Sequence, residues 1–132
     1  MSHLKKVLYA DDDTDDKAWV IETCKALCFA ITIDFVENGR QALEYLSKLV
    51  QDDLPSLIVL DLNMPEIDGR QTLQKIKAHE NYKSIPVIIV TTSSNKADIE
   101  ICKRLGASLY LVKPDTYSEW QNLIKQFVPF VS

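Results

Sequence analysis

No apolar run in this chain approaches the ~18 residues that a membrane span requires. The N-terminus, Met1-Ser2-His3-Leu4-Lys5-Lys6, leads straight into a short strand-like segment and carries no secretion signal. A basic excess is missing too. The 15 Lys and Arg residues stand against 19 Asp and Glu, for a formal charge of −4, and no basic stripe marks a nucleic-acid footprint. Cysteine is scarce and odd in number: Cys24 and Cys28 lie four apart, Cys102 is distant, and there is no Cys-x-x-Cys and no histidine close by. A zinc site would want four ligands at tighter spacing, so the three thiols read as small hydrophobes in a reducing cytoplasm. Repeats, linkers and low-complexity tracts are absent. What is present is 132 residues, 46% hydrophobic and 26% charged, which fits one soluble, cytoplasmic domain spanning residues 1–132.

Five short apolar runs punctuate the chain: Val7–Ala10, Ile31–Val36, Leu57–Leu60, Val87–Val90 and Leu109–Val112. Four are nearly continuous in hydrophobicity, as strands covered on both faces are. The second admits Thr32 and Asp34, which suits a sheet edge. Helical spacing fills the gaps between them. Val20, Cys24 and Leu27, widened by Ile21 and Cys28, form one stripe, and Ala42, Leu46, Leu49 and Val50 form a second. Leu73 with Ile76 and Ile99 with Cys102 and Leu105 are shorter, while Trp120, Leu123, Ile124 and Phe127 give the clearest. Asn38-Gly39, Pro55, Pro86 and Gly106 fall at the expected boundaries. Five β-α units in succession predict right-handed crossovers, a parallel sheet and helices on both faces. A ligand site is then expected beyond the carboxyl ends of the strands.

Polar residues stand at four of those ends. Asp11, Asp12 and Asp13, then Asp15 and Asp16, follow the first strand, and Asp61 follows the third. Thr91, Thr92, Ser93 and Ser94 follow the fourth, and Lys113-Pro114 follows the fifth. Each has a plainer explanation when taken singly. An acidic run before a helix caps it, and Asp13 and Thr14 suit that purpose. Asp, Thr, Lys and Pro are ordinary loop residues. Four such groups on one rim carry more weight. Asp11, Asp12 and Asp61 against the single ammonium of Lys113 leave a net charge of about −2, which calls for a divalent cation. An all-oxygen donor set that keeps waters suits Mg²⁺. A metal, a lysine and a hydroxyl around a carboxylate form a constellation for handling a phosphoryl group, with Asp61 as nucleophile.

Val7-Leu8-Tyr9-Ala10-Asp11-Asp12-Asp13, Leu57-Ile58-Val59-Leu60-Asp61-Leu62-Asn63-Met64-Pro65-Glu66-Ile67-Asp68-Gly69, Pro86-Val87-Ile88-Ile89-Val90-Thr91 and Gly106-Ala107-Ser108-Leu109-Tyr110-Leu111-Val112-Lys113-Pro114 together resemble the response-regulator receiver family of two-component signalling, of the single-domain, CheY-like type. The resemblance spans essentially the whole chain. It implies a flavodoxin-like, doubly wound (βα)5 fold with a five-stranded parallel sheet in the order 2-1-3-4-5. It implies that Asp61 accepts a phosphoryl group from a sensor histidine kinase or a histidine phosphotransfer protein. Asp12 would bind Mg²⁺ directly, Asp11 through a water, Asp61 with its carboxylate and Asn63 with its backbone carbonyl. Lys113 would pair with Asp61 and then with the phosphate. Thr91 would swing onto the phosphate and free space for Tyr110, so that helix four, strand five and helix five form a bistable face. A cis peptide before Pro114 would aim the lysine.

Departures from the commonest pattern are Asp115, where many receivers carry Phe, and Thr92, which is bulkier than usual. Asn63 and Ser93 occupy positions that influence hydrolysis rate in the family. The chain ends soon after its last helix, which implies a single-domain switch that docks on a downstream protein or relays its phosphate. Its own catalysis would be at most an autophosphatase activity. No nucleic acid or membrane is expected as a partner; Trp120 and Phe127 are expected in the core, while Phe130 and the apolar tail leave homodimerisation open. Two other readings fit less well. A Mg²⁺-dependent phosphatase of the aspartyl-phosphate type wants a second carboxylate where Asn63 stands. A flavin or nucleotide carrier wants a Gly/Ser/Thr-rich loop where the first strand is followed by aspartates.

Overall fold

A computed structural model describes residues 5–28, 30–64 and 68–131. The opening Met1–Leu4, and Pro65, Glu66 and Ile67 of the third-strand motif, lie outside the described residues. In chain order the elements are β1 (Lys5–Ala10), α1 (Thr14–Ala26), β2 (Ile31–Val36), α2 (Gly39–Ser47), a short 3-10 turn (Gln51–Asp53), β3 (Leu57–Leu60), α3 (Gly69–Ala78), β4 (Val87–Thr91), α4 (Lys96–Arg104), β5 (Leu109–Val112), α5 (Tyr117–Lys125) and α6 (Val128–Val131). All strand pairings are parallel and the sheet order is β2-β1-β3-β4-β5. This is the doubly wound arrangement expected from the sequence.

The period-2 geometry of a strand explains why the central runs are continuously apolar. Val7, Tyr9, Leu57, Val59, Ile88 and Val90 face one side, where they meet Val20 of α1 and Trp120, Leu123, Ile124 and Phe127. Leu8, Ala10, Ile58, Leu60, Val87 and Ile89 face the other, against Ala42 and Leu46 of α2, Leu73 and Ile76 of α3, and Cys102 of α4. Two cores therefore sandwich the sheet, and the strand ends are left as the place where polar side chains gather.

Local chemistry sets the helix boundaries. Asp13 caps α1 by accepting from the backbone N–H groups of Asp15 and Asp16. Asn38 caps α2, and Asp68 forms a reciprocal capping box with Gln71 at the start of α3. Gly106, at φ +104°, ends α4. Its N–H reaches the Lys103 carbonyl while that of Ala107 reaches Cys102, the paired bonds of a Schellman turn. Despite Asp115, α5 starts cleanly, with the Thr116 hydroxyl accepting from Glu119 N–H and the Tyr117 ring packed at a tilt on Trp19, centroids 5.3 Å apart.

Three expectations need correcting. The stripe on α1 is narrower than its hydrophobic residues suggested. Val20 and Thr23 are buried, but Ile21 is 43% exposed, and Cys28 lies past the helix end at φ 52° on the surface. β5 has a continuous apolar sequence yet is only half-buried, because it closes the sheet and has one strand neighbour. The peptide before Pro114 is trans, as are all peptide bonds among the described residues. Trans is the lower-energy isomer for an X–Pro bond. With it, the Lys113 N–H bonds the Thr91 carbonyl at 2.8 Å and the side chain reaches the rim.

Candidate phosphoacceptor site

Parallel pairing brings the ends of β1 and β3 side by side, with Ala10 opposite Leu60, so Asp11 and Asp61 emerge as neighbours. Asp61 N–H donates to the Ala10 carbonyl at 3.0 Å and Asp11 N–H to the Val36 carbonyl at 3.0 Å, which fixes both backbones. The side chains are buried, with Asp11 wholly inaccessible and Asp61 only 4% exposed. Asp61 Oδ1 accepts from Asn63 N–H at 3.1 Å, and Oδ2 accepts from Lys113 Nζ at 2.8 Å. Asp11 Oδ1 accepts from Asp13 N–H at 2.9 Å, while its Oδ2 lies 3.0 Å from the same ammonium.

A third carboxylate completes the set. Asp16 Oδ2 lies 2.5 Å from Lys113 Nζ. Burial opposes the lysine's charge, but the carboxylates of Asp16, Asp61 and Asp11 beside it outweigh that and hold the ammonium well above the usual lysine range. Asp11 is pushed the other way from a normal carboxylate, up to about 6. Burial is the main cause and the Asp61 charge adds to it, while Asp13 N–H and Lys113 pull it back.

Two buried carboxylates and a part-buried third around one ammonium leave a negative surplus at the rim, and every donor on hand is an oxygen. That is the chemistry of a hard divalent cation. Among the described residues no three Asp, Glu, His or Cys side chains stand as a ready cage. The reason is visible: Lys113 draws Asp11 and Asp61 toward itself, and Asp12 is exposed to solvent. Mg²⁺ keeps several waters and needs only one or two carboxylates, so Asp11, Asp12, Asp61 and the Asn63 carbonyl suffice in kind.

On the β4 side Thr91 is buried. Its Oγ1 accepts from the Asn63 side-chain amide at 3.4 Å, and that amide also reaches Thr92 Oγ1 at 3.4 Å. Tyr110 on β5 is half-buried, and its hydroxyl donates to the Ser93 carbonyl at 2.8 Å. Ser93 Oγ in turn donates to Asp98 of α4 at 2.7 Å, and Asp98 is ion-paired with Arg70 of α3. A continuous polar chain thus runs from β5 through the β4–α4 loop to α3.

Comparison with known proteins decides the family. Residues 7–125 match the response regulator receiver domain model. The chain is a response regulator receiver domain. It is similar to response regulator Rcp1 of Synechocystis sp., at 33% identity over 129 residues, covering 96% of this chain and 88% of that protein. It is also similar to a chemotaxis protein CheY homolog of Campylobacter jejuni, at 32% identity over 84% of this chain and 82% of that protein. Among solved structures, the phosphorylated cyanobacterial phytochrome response regulator RcpA superposes with a TM-score of 0.87 at 30% identity, covering 98% of this chain and 94% of that one. The Mn²⁺-bound form of Rcp1 gives 0.84 at 29% identity, covering 96% of this chain and 93% of that one. Receivers of this family belong to two-component signalling and are not enzymes of the ordinary kind.

The receiver gathers Asp11, Asp61, Asn63, Thr91 and Lys113 at one rim, with Tyr110 one strand outward behind the Ser93 carbonyl. Asp12 follows Asp11 at the surface, and Pro114 follows the lysine through its trans peptide. Two contacts escaped the sequence reading. The Asn63 side chain, and not only its backbone, ties the acceptor loop to Thr91. Asp16 was grouped with Asp15 as an acidic helix start, yet only Asp16 faces the lysine. The available signal was its place three residues after the capping Asp13, where the first helical turn carries it back over the strand ends.

Proposed function

We propose that Asp61 is the phosphoacceptor of this receiver. The reading is carried by one observation: a buried carboxylate at the end of β3 has Oδ2 bonded to a buried lysine and Oδ1 held by its own loop's N–H. The phosphoryl group passes from a phosphohistidine of a sensor histidine kinase or histidine phosphotransfer protein. The N–P bond breaks, an O–P bond to Asp61 forms, and the imidazole keeps the electron pair. A bound Mg²⁺ would be held by Asp11, Asp12, Asp61 and the Asn63 carbonyl, and would neutralise charge on the transferring oxygens.

The chain's own residues do the remaining work. Lys113 donates to a phosphoryl oxygen, and Thr91 turns its hydroxyl from Asn63 toward the same group. The movement opens room beside Tyr110, so α4, β5 and α5 present a different face to a downstream protein or a second receiver. Soluble signalling in the cytoplasm accords with this reading. No helix among the described residues is long and apolar enough to cross a membrane.

The test is incubation with acetyl phosphate and Mg²⁺, read by intact mass. The parent is expected to gain one phosphate, and Asp61→Asn none. An Asn variant labelled as fully as the parent would remove Asp61 from the role.

A further inference from the structure

The ammonium of Lys113 has three N–H bonds to give, and three carboxylates surround it: Asp16 at 2.5 Å, Asp61 at 2.8 Å and Asp11 at 3.0 Å. The lysine rises from the end of β5, an edge strand, on a stem of four methylenes, so its backbone alone does not fix the charged tip. Its partners must do so. Two of them have other business in the reaction proposed above. Asp61 loses carboxylate charge when one of its oxygens takes the phosphoryl group, and Asp11 belongs to the donor set facing the cation.

Asp16 has neither duty. It lies in the first turn of α1, and its backbone N–H is tied to the Asp13 side chain at 3.2 Å. Its side chain is 15% exposed, and Lys113 is the cation it faces. The neighbouring Asp15 is exposed to solvent.

We propose that Asp16 is a positioning residue for phosphoryl transfer, holding the Lys113 ammonium against the acceptor site while Asp61 changes from carboxylate to acyl phosphate. The proposal rests on the reading of Asp61 as phosphoacceptor. Without Asp16 the ammonium keeps only partners that the reaction itself withdraws, and it samples positions from which it cannot meet the incoming phosphoryl oxygen.

The experiment compares the parent with Asp16→Asn, which keeps the size and removes the charge, and with Asp16→Ser as a second variant should the first fail to fold. Each is phosphorylated with saturating acetyl phosphate and Mg²⁺. In parallel, without donor or metal, each is treated briefly with acetic anhydride, and acylation of Lys113 is quantified by peptide mass spectrometry against the exposed Lys96 and Lys125. The expected result is phosphorylation slowed about ten- to a hundredfold, together with faster acylation of Lys113 and unchanged acylation of the two reference lysines.

Slower phosphorylation with Lys113 as protected as in the parent would overturn the positioning role. Phosphorylation at the parental rate would overturn it as well, while leaving Asp61 in place. A parent chain that takes up no phosphate would instead bring down the reading of Asp61, and the proposal with it.

Discussion

A Cβ on Gly69 would stand 2.3 Å from the backbone carbonyl oxygen of Asp61 and 2.8 Å from the Cα of Leu62. The first turn of α3 therefore lies directly against the backbone that carries the acceptor, and Gly69 N–H bonds the Leu62 carbonyl at 3.2 Å. No flexible side-chain tip is involved that could step aside. Gly69→Ala must push α3 or the acceptor loop, at a cost of about 1–3 kcal/mol by the scale of overpacking. Urea unfolding is expected to show that loss, and acetyl phosphate labelling is expected to slow. A variant of parental stability would mean that the loop yields freely.

Tyr9 lies under the rim, 1% exposed, with its hydroxyl buried and, among the described residues, without a hydrogen-bond partner. The ring packs against Phe35 and Phe127. Burial, followed by the charges of Asp11, Asp16 and Asp61, keeps the phenol protonated by raising it well above its ordinary range. An unpaired buried hydroxyl costs about 1–3 kcal/mol, so Tyr9→Phe is expected to leave stability unchanged or raise it. A loss of more than about 1 kcal/mol on thermal or urea unfolding would reveal a partner for that oxygen.

Asp11, raised from 3.8 to about 6, makes the stability of the metal-free protein depend on pH below neutrality. The folded state holds this proton more tightly than the unfolded chain does. Its contribution is therefore complete below about pH 4 and disappears as the pH climbs through about 6. In chelator, the stability of the parent relative to Asp11→Asn is expected to fall by up to about 3 kcal/mol between pH 4 and 7. Added Mg²⁺ should recover part of the loss in the parent alone. A difference that is flat with pH, or that grows toward neutrality, contradicts the raised carboxyl.

The architecture was legible because it depends on burial, and burial on both faces leaves an unmistakable mark: Leu57–Leu60 and Val87–Val90 have no polar residue to spare. The position of Asp61, and that of Lys113, followed from the same logic, since the residue after a parallel strand has one rim to occupy. Orientation was harder. Five aspartates crowd residues 11–16, and composition treats them alike. Which of them turns inward is decided by the capping bonds of Asp13 and the phase of α1, which place Asp16 on the lysine and leave Asp12 and Asp15 in solvent. The sequence of β5 hid its half-exposure, because Tyr110 earns its place through one hydroxyl contact to a distant loop as well as through hydrophobicity. The same holds for the trans bond before Pro114, whose isomer no neighbouring residue announces.

The polar chain from Tyr110 through Ser93 and Asp98 to Arg70 behaves like a detent. Its links lie in series across β5, the β4–α4 loop, α4 and α3, so the loop cannot drift by small degrees without straining one of them. Hydrogen bonds fall off steeply with distance and angle. Such a chain tolerates little slack, and once a link lets go, it gives little resistance to the remaining travel. Stepwise yielding at this corner is thus built into ordinary contacts among four residues, beginning two positions along the chain from Thr91.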